Sequence, residues 1–403
     1  MGFDPSLITS TQEKVVRVDR QTDPLIIGVP REIHNQETRV AITPASVAVL
    51  VANGHQVIVE HNAGIEAQFT DQEYTNAGAI IAYARSELFT KSKVIVKINP
   101  LAADEMDLLQ PRQTLISAVH LGGIRPDCLR ILMDKHISAI GFEFLQAADG
   151  SLPLMRMMAE IAGITSIHIA TELLSVSSGG KGLLLGGITG VPPATVAIIG
   201  AGTVGFHAAR TAIGLGAIVK VIDSEIYRLK RLEEIIGHKV YTAISQVHYI
   251  EDAVCSADVV IGATYVKGKG AACVVTEEMV AGMREGSVIV DVSIDQGGCV
   301  ETSRATTHER PTFIKHGVIH YCVPNIASRV SRTASVAISN ILTPILLNIG
   351  DAGSIQAAIG LDPSIKSGIY TFQRHITQRN LATIFNLDFM DIDLLYAANI
   401  YGG

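Results

Sequence analysis

The sequence contains no tryptophan, aromatic residues make up only 5% of it, and its charged residues form no basic cluster. Its 32 Lys and Arg against 39 Asp and Glu give a formal net charge of −7, so nucleic acid is not an expected partner. The five cysteines are odd in number and form no C-x-x-C pair. That usage excludes a disulfide-stapled scaffold and favours a reducing cytoplasm.

Signals for membrane insertion or secretion are also lacking. The longest charge-free stretches, 182–206 and 333–350, are interrupted by glycine or proline or are too short to span a bilayer. Residues 1–24 are polar and charged, without the apolar core of a secretory signal. We therefore expect a cytoplasmic protein with no membrane partner.

The 403 residues are 48% hydrophobic, and short apolar runs alternate with helix-like segments along most of the chain. This alternation is typical of parallel sheets with crossover helices. A first series of predicted strands comprises Leu25–Val29, Gln56–Glu60, Val94–Ile98, Thr114–Val119 and Ser138–Phe142. A second series comprises Thr195–Ile199, Ile218–Ile222, Asp258–Ala263, Ser287–Asp291 and Val318–Val323. We predict an α/β protein with two doubly wound, Rossmann-like domains and a cleft between them. Residues 331–403 look mainly helical, without a new strand series, and should pack back onto the first domain.

A glycine-rich turn follows the first strand of the second series. The strand runs into Gly200-Ala-Gly202-Thr-Val-Gly205, a G-x-G-x-x-G motif, and a helical stretch begins at once. The first glycine permits the tight turn, the second lets a pyrophosphate approach the backbone, and the third lets helix and strand pack closely. Asp223 ends the next strand, where a carboxylate binds the ribose 2′-hydroxyl and repels a 2′-phosphate. The motif predicts an NAD site.

Polar side chains at predicted strand ends are further site candidates, because ligands of doubly wound sheets bind beyond the carboxyl ends of the strands. Arg39 and Lys97 could clamp a carboxylate, whereas His120 and Asp295 could share proton transfer beside a nicotinamide. Asn325 follows the last predicted strand. Each also has a structural explanation, as a loop charge, a turn residue or a helix cap, so position alone leaves all five as candidates.

Three histidines, His308, His316 and His320, are close in sequence and raise the question of a metal site. Gly317 and the β-branched residues after it predict a loop and a strand rather than a helix here. No carboxylate or cysteine completes a ligand set with recognisable spacing, so we predict no metal.

These candidates stand in motifs that resemble those of the alanine dehydrogenase and pyridine nucleotide transhydrogenase family. Residues 28–44 resemble the family's N-terminal signature, and residues 179–191 resemble its second one. Residues 290–298, 306–308 and 311–313 are similar to the alanine dehydrogenase branch specifically. The resemblance extends over roughly residues 25–380.

The resemblance implies a role for each candidate. Arg39 matches the arginine that holds the substrate carboxylate, and Lys97 is nearest to the substrate lysine. His120 and Asp295 match the catalytic histidine and aspartate. Asn325 matches an asparagine near the nicotinamide. The implied cofactor is NAD, and its candidate binding residues are Gly200, Gly202, Thr203, Val204, Gly205, Asp223 and Asn325.

The implied reaction is the reversible oxidative deamination of L-alanine by NAD, which gives pyruvate, ammonium and NADH. The implied architecture is a substrate domain of residues 1–152 and 331–403, with an NAD-binding domain of residues 153–330 inserted. The implied assembly is a homo-oligomer, a hexamer in this family.

Three positions depart from the family pattern. Lys97 is one residue out of register with the family lysine, which on a regular strand turns it to the opposite face. Ala159 replaces a serine that contacts the cofactor, and residues 267–272 replace a proline-richer loop. Alternative functions are therefore a dehydrogenase for another small 2-oxo acid such as glyoxylate, a transhydrogenase NAD-binding subunit, or an NAD-binding sensor without catalysis.

Overall fold

Two β-sheets organise the chain in a computed structural model that describes residues 23–34, 36–119, 125–237, 239–265 and 270–401. The first sheet takes its strands from both ends of the sequence: β1 (Ile26–Val29), β2 (Gln56–Glu60), β3 (Ile80–Ala82), β4 (Val94–Val96), β5 (Thr114–Ser117), β6 (Ser138–Gly141), β14 (Ile369–Phe372) and β15 (His375–Ile376). The second takes its strands from the middle: β7 (Thr195–Ile199), β8 (Ile218–Asp223), β9 (Tyr241–Ile244), β10 (Val259–Gly262), β11 (Val288–Asp291), β12 (Thr312–Lys315) and β13 (Val318–Tyr321).

Helices cover both faces of each sheet. Those that accompany the first sheet are α1 (Pro44–Ala52), α2 (Asp71–Asn76), α3 (Arg85–Lys91), α4 (Ala103–Leu108), α5 (Pro126–Asp134), α12 (Ile355–Leu361), α13 (Pro363–Gly368), α14 (Arg379–Phe385) and α15 (Ile392–Tyr401). Those that accompany the second are α7 (Thr203–Gly214), α8 (Ile226–Ile236), α9 (Val247–Ser256) and α10 (Glu277–Ala281). Two longer helices, α6 (Pro153–Leu173) and α11 (Ser331–Asp351), join the two parts.

The order of strands follows the doubly wound pattern in both sheets. The first sheet runs β15-β14-β6-β5-β4-β1-β2-β3, and the second runs β12-β13-β11-β10-β7-β8-β9. Strands β1 to β6 and β7 to β11 pair in parallel, and strands such as β10 and β11 are buried along their whole length. Burial on both faces explains why these strands are continuous apolar runs rather than alternating ones. The predicted α/β class with two Rossmann-like sheets is confirmed.

The observed elements also correct the sequence-based boundaries. The short strand β3 and the half-exposed β9 were not predicted, since neither is a buried apolar run. The expectation that residues 331–403 add no strands is wrong in part, because β14 and β15 form an antiparallel hairpin at the edge of the first sheet. Pairing of β14 with β6 confirms that this segment packs back onto the first domain.

The stretch Ile326–Asp351, which contains α11, is long and apolar enough to cross a membrane by length and composition. However, 61% of its most apolar window is buried inside the protein. Leu342 and Leu346, on one face of α11, belong to the core of the first sheet, as expected for the central helix of a globular fold.

Candidate active site

Two of the candidates, Arg39 and Gly200, follow strands at which the order of each sheet reverses. In the first sheet β1 lies between β4 and β2, and in the second β7 lies between β10 and β8. Loops that leave the carboxyl ends of adjacent strands diverge at such a point and open a crevice, where ligands of this fold class bind. The loop after β1 carries Arg39, and the turn after β7 carries Gly200.

The glycine turn after β7 has the form that a dinucleotide site needs. Gly200 adopts φ +110°, and a Cβ there would meet the backbone oxygen of Ala263 at 2.3 Å. A Cβ on Gly205 would meet the oxygen of Gly200 at 1.8 Å, so α7 starts close against the strand. A Cβ on Gly202 meets no heavy atom of the described chain within 4 Å. This open approach suits a pyrophosphate, and the first N–H groups of α7 face it without a side-chain cap.

Asp223 closes the other side of this turn. Its Oδ2 accepts a hydrogen bond from the backbone N–H of Ala201 at 2.6 Å, and its Oδ1 accepts one from Glu225 at 2.7 Å. A carboxylate has about four lone-pair sites, so it retains capacity for a ribose hydroxyl. The guanidinium of Arg228 lies 3.7 Å from Oδ2. The glycine turn and this carboxylate are residues of the type that bind NAD.

A carboxylate that the sequence reasoning missed holds Arg39. Glu37 accepts hydrogen bonds from Nε of Arg39 at 2.7 Å, from its NH2 nitrogen at 2.6 Å and from its backbone N–H at 3.0 Å. The NH1 nitrogen contacts Sδ of Met158 at 3.3 Å. Burial by itself raises the pKa of Glu37, but the charge and hydrogen bonds of Arg39 prevail and lower it to about 2. Glu37 is therefore a carboxylate near neutral pH.

The same carboxylate reaches residues that follow the second sheet. Its Oε2 accepts from Nδ2 of Asn325 at 2.7 Å, and its Oε1 accepts from Oγ of Ser328 at 2.9 Å. The backbone N–H of Asn325 in turn donates to Oδ1 of Asp295 at 2.9 Å. Asn325 adopts φ +59°, a left-handed conformation that asparagine tolerates better than most residues. Three predicted residues, Arg39, Asn325 and Asp295, are thus brought together through Glu37.

Lys97 lies apart from this group. It is 1% exposed, and its Nζ is 2.7 Å from Oε2 of Glu105 on α4 and 3.4 Å from Oε2 of Glu32. Its neighbours Val96 and Ile98 belong to the apolar cluster on one face of the sheet, and Ile95 belongs to the cluster on the other face. Strand alternation therefore continues without a bulge, and the ammonium points to the face that α3 and α4 cover.

Glu32 connects Lys97 electrostatically to the Arg39 group. Its Oε1 accepts from the backbone N–H of Ile98 at 2.6 Å, and its buried Oε2 has no hydrogen-bond donor among the described residues. Burial raises its pKa to about 7, Lys97 opposes that rise, and the charges of Glu37 and Glu105 add to it. Glu32 is the carboxyl of this buried group that retains a proton near neutral pH.

The predicted catalytic histidine, His120, and its neighbours at 121–124 lie outside the described residues. A different histidine, His308, lies near the Arg39 group. The backbone N–H of His308 donates to Oε1 of Gln36 at 2.9 Å, and its Nε2 is buried without a described partner. Burial lowers the pKa of His308, although a hydrogen bond to the backbone of Asn325 and the charge of Glu37 oppose this.

The missed residues left signals in the sequence. Glu32 and Glu37 lie inside the N-terminal signature, and Glu37 precedes Arg39 by two positions, which puts both side chains on one face of an extended segment.

Gly163 on α6 is required by helix packing, because a Cβ there would meet the backbone oxygen of Val204 at 2.3 Å. This glycine lets α6 cross directly over the start of α7.

A cavity of about 290 Å³ lies at that crossing, lined among others by Arg156, Glu160, Thr203 and His207. Its position beside the first turn of α7 makes it part of the crevice next to the glycine turn. Nδ1 of His207 lies 3.5 Å from Oε1 of Glu160. Ala159, which replaces the family serine, lies on α6 between these residues.

Family models and a curated relative show which proteins this chain is similar to. The family model described as alanine dehydrogenase/PNT, N-terminal domain, matches residues 28–162, and the corresponding C-terminal domain model matches residues 166–379. An alanine dehydrogenase from Methanococcus maripaludis is 43% identical over 366 residues, which cover 91% of this chain and 98% of that protein.

Two solved structures are similar to this chain along most of its length. One described as L-alanine dehydrogenase has a TM-score of 0.85 and 39% identity, with 90% of this chain and 99% of that chain covered. A transhydrogenase from Sinorhizobium meliloti has a TM-score of 0.75 at 23% identity, with coverage of 88% and 99%. At that lower identity the second likeness shows a shared fold.

Proposed function

The chain belongs to the alanine dehydrogenase/PNT family, and from this premise we propose that it is an NAD-dependent L-alanine dehydrogenase. It interconverts L-alanine, water and NAD with pyruvate, ammonium, NADH and a proton. The observation that carries the proposal is the Arg39–Glu37–Asn325–Asp295 group, which joins a carboxylate-binding cation of the first sheet to polar residues at the ends of the second.

Arg39 is proposed to bind the substrate carboxylate. Its Nε and one NH2 hydrogen are engaged by Glu37, which leaves the NH1–NH2 edge of the guanidinium for a second carboxylate. Such an edge presents two parallel N–H donors that match a carboxylate's two oxygens. Lys97 stays our second candidate for this clamp. To serve there, its ammonium must leave Glu105 and turn from the face that α3 and α4 cover towards Arg39.

Asp295 and His120 are proposed as the catalytic pair. The exposed carboxylate of Asp295 follows β11 and stabilises a cationic imine, which helps water or ammonia add to it. His120 exchanges the proton of the developing carbonyl, a task that suits an imidazole because its ordinary pKa lies near neutrality.

The residues present fit NAD as the cofactor. Gly200, Gly202 and Gly205 form the turn that receives the pyrophosphate, with Thr203 and Val204 at the start of α7 beside it. Asp223 binds the ribose, and Asn325 lies on the nicotinamide side. When bound, NAD supplies the acceptor for the hydride that leaves the substrate Cα.

We assign residues 1–152 with 331–403 to a substrate domain and residues 153–330 to the NAD-binding domain. Membership of the strands supports this division, since β14 and β15 complete the first sheet and β7 to β13 form the second. The family models, in contrast, divide the chain between residues 162 and 166.

We further propose a cytoplasmic homo-oligomer, a hexamer by family likeness. An exposed apolar face at the amino ends of β7 and β8 supports a second copy as its occupant. Its members are Leu184, Ile188, Val191, Leu215 and Ile218. The glycine turn lies at the opposite ends of these strands, so self-association here leaves the cofactor site open. Light scattering on the purified protein, with Ile188→Lys as the variant, measures the assembly directly.

A second candidate function is a dehydrogenase for a different small 2-oxo acid, such as glyoxylate. The observation that favours it is the burial of Lys97 against Glu105, which alters the expected substrate clamp. NADH oxidation with ammonium and a panel of pyruvate, glyoxylate, 2-oxobutyrate and 2-oxoglutarate separates the two. Preference for pyruvate supports the first proposal, and preference for another acid supports the second. NADH binding without turnover on any of them refutes both.

A further inference from the structure

Glu37 makes more contacts than the neutralisation of one arginine requires. Its two oxygens accept from Nε, NH2 and the backbone N–H of Arg39, from Asn325 and from Ser328. A carboxylate offers about four lone-pair sites, so this one is saturated and fixed in orientation. Its donors come from two parts of the molecule that are nearly 300 residues apart in sequence.

The loop that carries Glu37 is attached on both sides of it to segments that follow strands of the second sheet. The side-chain oxygen of Gln36 accepts from the backbone N–H of His308 at 2.9 Å. Oγ1 of Thr38 donates to the backbone oxygen of Ser328 at 2.6 Å. Movement of residues 36–39 relative to 325–328 therefore breaks the Glu37 bonds, and an ordered Glu37 requires the two segments to be in contact.

Resting on the proposed function, we infer that Glu37 is a positioning residue that couples occupancy of the Arg39 pocket by a small carboxylate to the binding of NADH beside Asn325. It fixes which edge of the Arg39 guanidinium faces the substrate, since it occupies the other edge. It also fixes the amide of Asn325, whose backbone N–H contacts Asp295. Each ligand thus stabilises the arrangement that the other needs, and such coupling is reciprocal.

The test is a thermodynamic coupling measured on the full-length protein. NADH dissociation constants are determined by fluorescence with and without L-alanine, pyruvate or glyoxylate, in the absence of ammonium. NADH and L-alanine together hold no hydride acceptor, so that complex is unreactive. We expect the wild type to bind NADH at least about fivefold more tightly with its preferred carboxylate, within the usual range of allosteric coupling.

Glu37→Gln should reduce this coupling factor to about one. It should also raise the KM of the 2-oxo acid about ten- to hundredfold, with a smaller effect on kcat, because charge-assisted bonds to Arg39 are lost. Glu172→Gln is the matched control, since it removes an exposed pair with Arg329 in the same region without contact to Arg39 or Asn325. The control should keep the wild-type coupling factor.

A buried arginine without its partner is costly, so Glu37→Gln must be checked for folding by circular dichroism. Should it fail to fold, Asn325→Gly tests the same inference, because it cuts the path from Glu37 to the cofactor side, spares the Arg39–Glu37 pair and keeps the left-handed φ without strain. A wild-type coupling factor of one, or a variant that keeps the wild-type factor, overturns the inference. Turnover with the 2-oxo acid panel tests the proposed function independently of the coupling measurement.

Discussion

Ionisation of one carboxyl group, Glu32, should lower the stability of the fold as the pH rises from about 4.5 to neutrality. Its pKa in the folded protein is about 7, against an ordinary value of 4.5. Below pH 4.5 it is neutral in both states, whereas between 4.5 and 7 the unfolded chain ionises first and gains free energy that the folded chain does not. Each tenfold change in a proton equilibrium is worth about 1.4 kcal/mol, so the stability lost by neutral pH is about 3 kcal/mol.

Glu32→Gln removes this loss because an amide of the same shape cannot ionise. The amide oxygen still accepts from the N–H of Ile98, and any penalty from the amide group near Lys97 is the same at both pH values. Part of the loss has already occurred at pH 5, so we expect the variant's stability relative to wild type to improve by about 2.5 kcal/mol between pH 5 and pH 8.

The measurement is urea unfolding at the two pH values, followed by circular dichroism because the sequence lacks tryptophan, at one fixed protein concentration. Glu87→Gln, in an exposed ion pair with Lys91 on α3, is the control and should show no such improvement. An equal difference between Glu32→Gln and wild type at pH 5 and pH 8 refutes the reasoning. It would mean that the charges around Glu32 compensate its burial.

Three further predictions concern the proposed site. Asp295→Asn should lower kcat by about a hundredfold or more, as loss of a charge that stabilises an intermediate does, while NADH affinity measured by fluorescence changes little; equal losses in both would make Asp295 structural. Asp223→Gly should narrow the NADH-over-NADPH preference in kcat/KM by about tenfold or more, since it removes both a charge-assisted bond to the ribose and the negative charge that repels a 2′-phosphate. An unchanged ratio contradicts that role. Gly205→Ala should abolish NADH binding, because its Cβ would meet a backbone oxygen at 1.8 Å, whereas Gly214→Ala at the end of the same helix meets no described atom within 4 Å and should bind normally.

The sequence by itself determined the two sheets and the cofactor turn. Strands such as Gln56–Glu60 and Thr195–Ile199 were predicted with their observed bounds, because an apolar run of this length between turn residues has few other stable conformations. The glycine turn was equally readable, since Gly200 and Gly205 occupy positions where a Cβ would clash with backbone and Gly202 leaves the turn open to a ligand. The contact between Gly205 and Gly200 lies within one short stretch of sequence, so the motif is visible along the chain.

Only the tertiary structure decided how the charges are paired. Nothing local in sequence indicates that Glu37 contacts Asn325 and Ser328, which are separated from it by 288 and 291 positions. The direction of Lys97 likewise depended on whether β4 stays regular, and its partner Glu105 comes from a different element. Buried charges take the nearest partner in space, and the fold alone sets that distance.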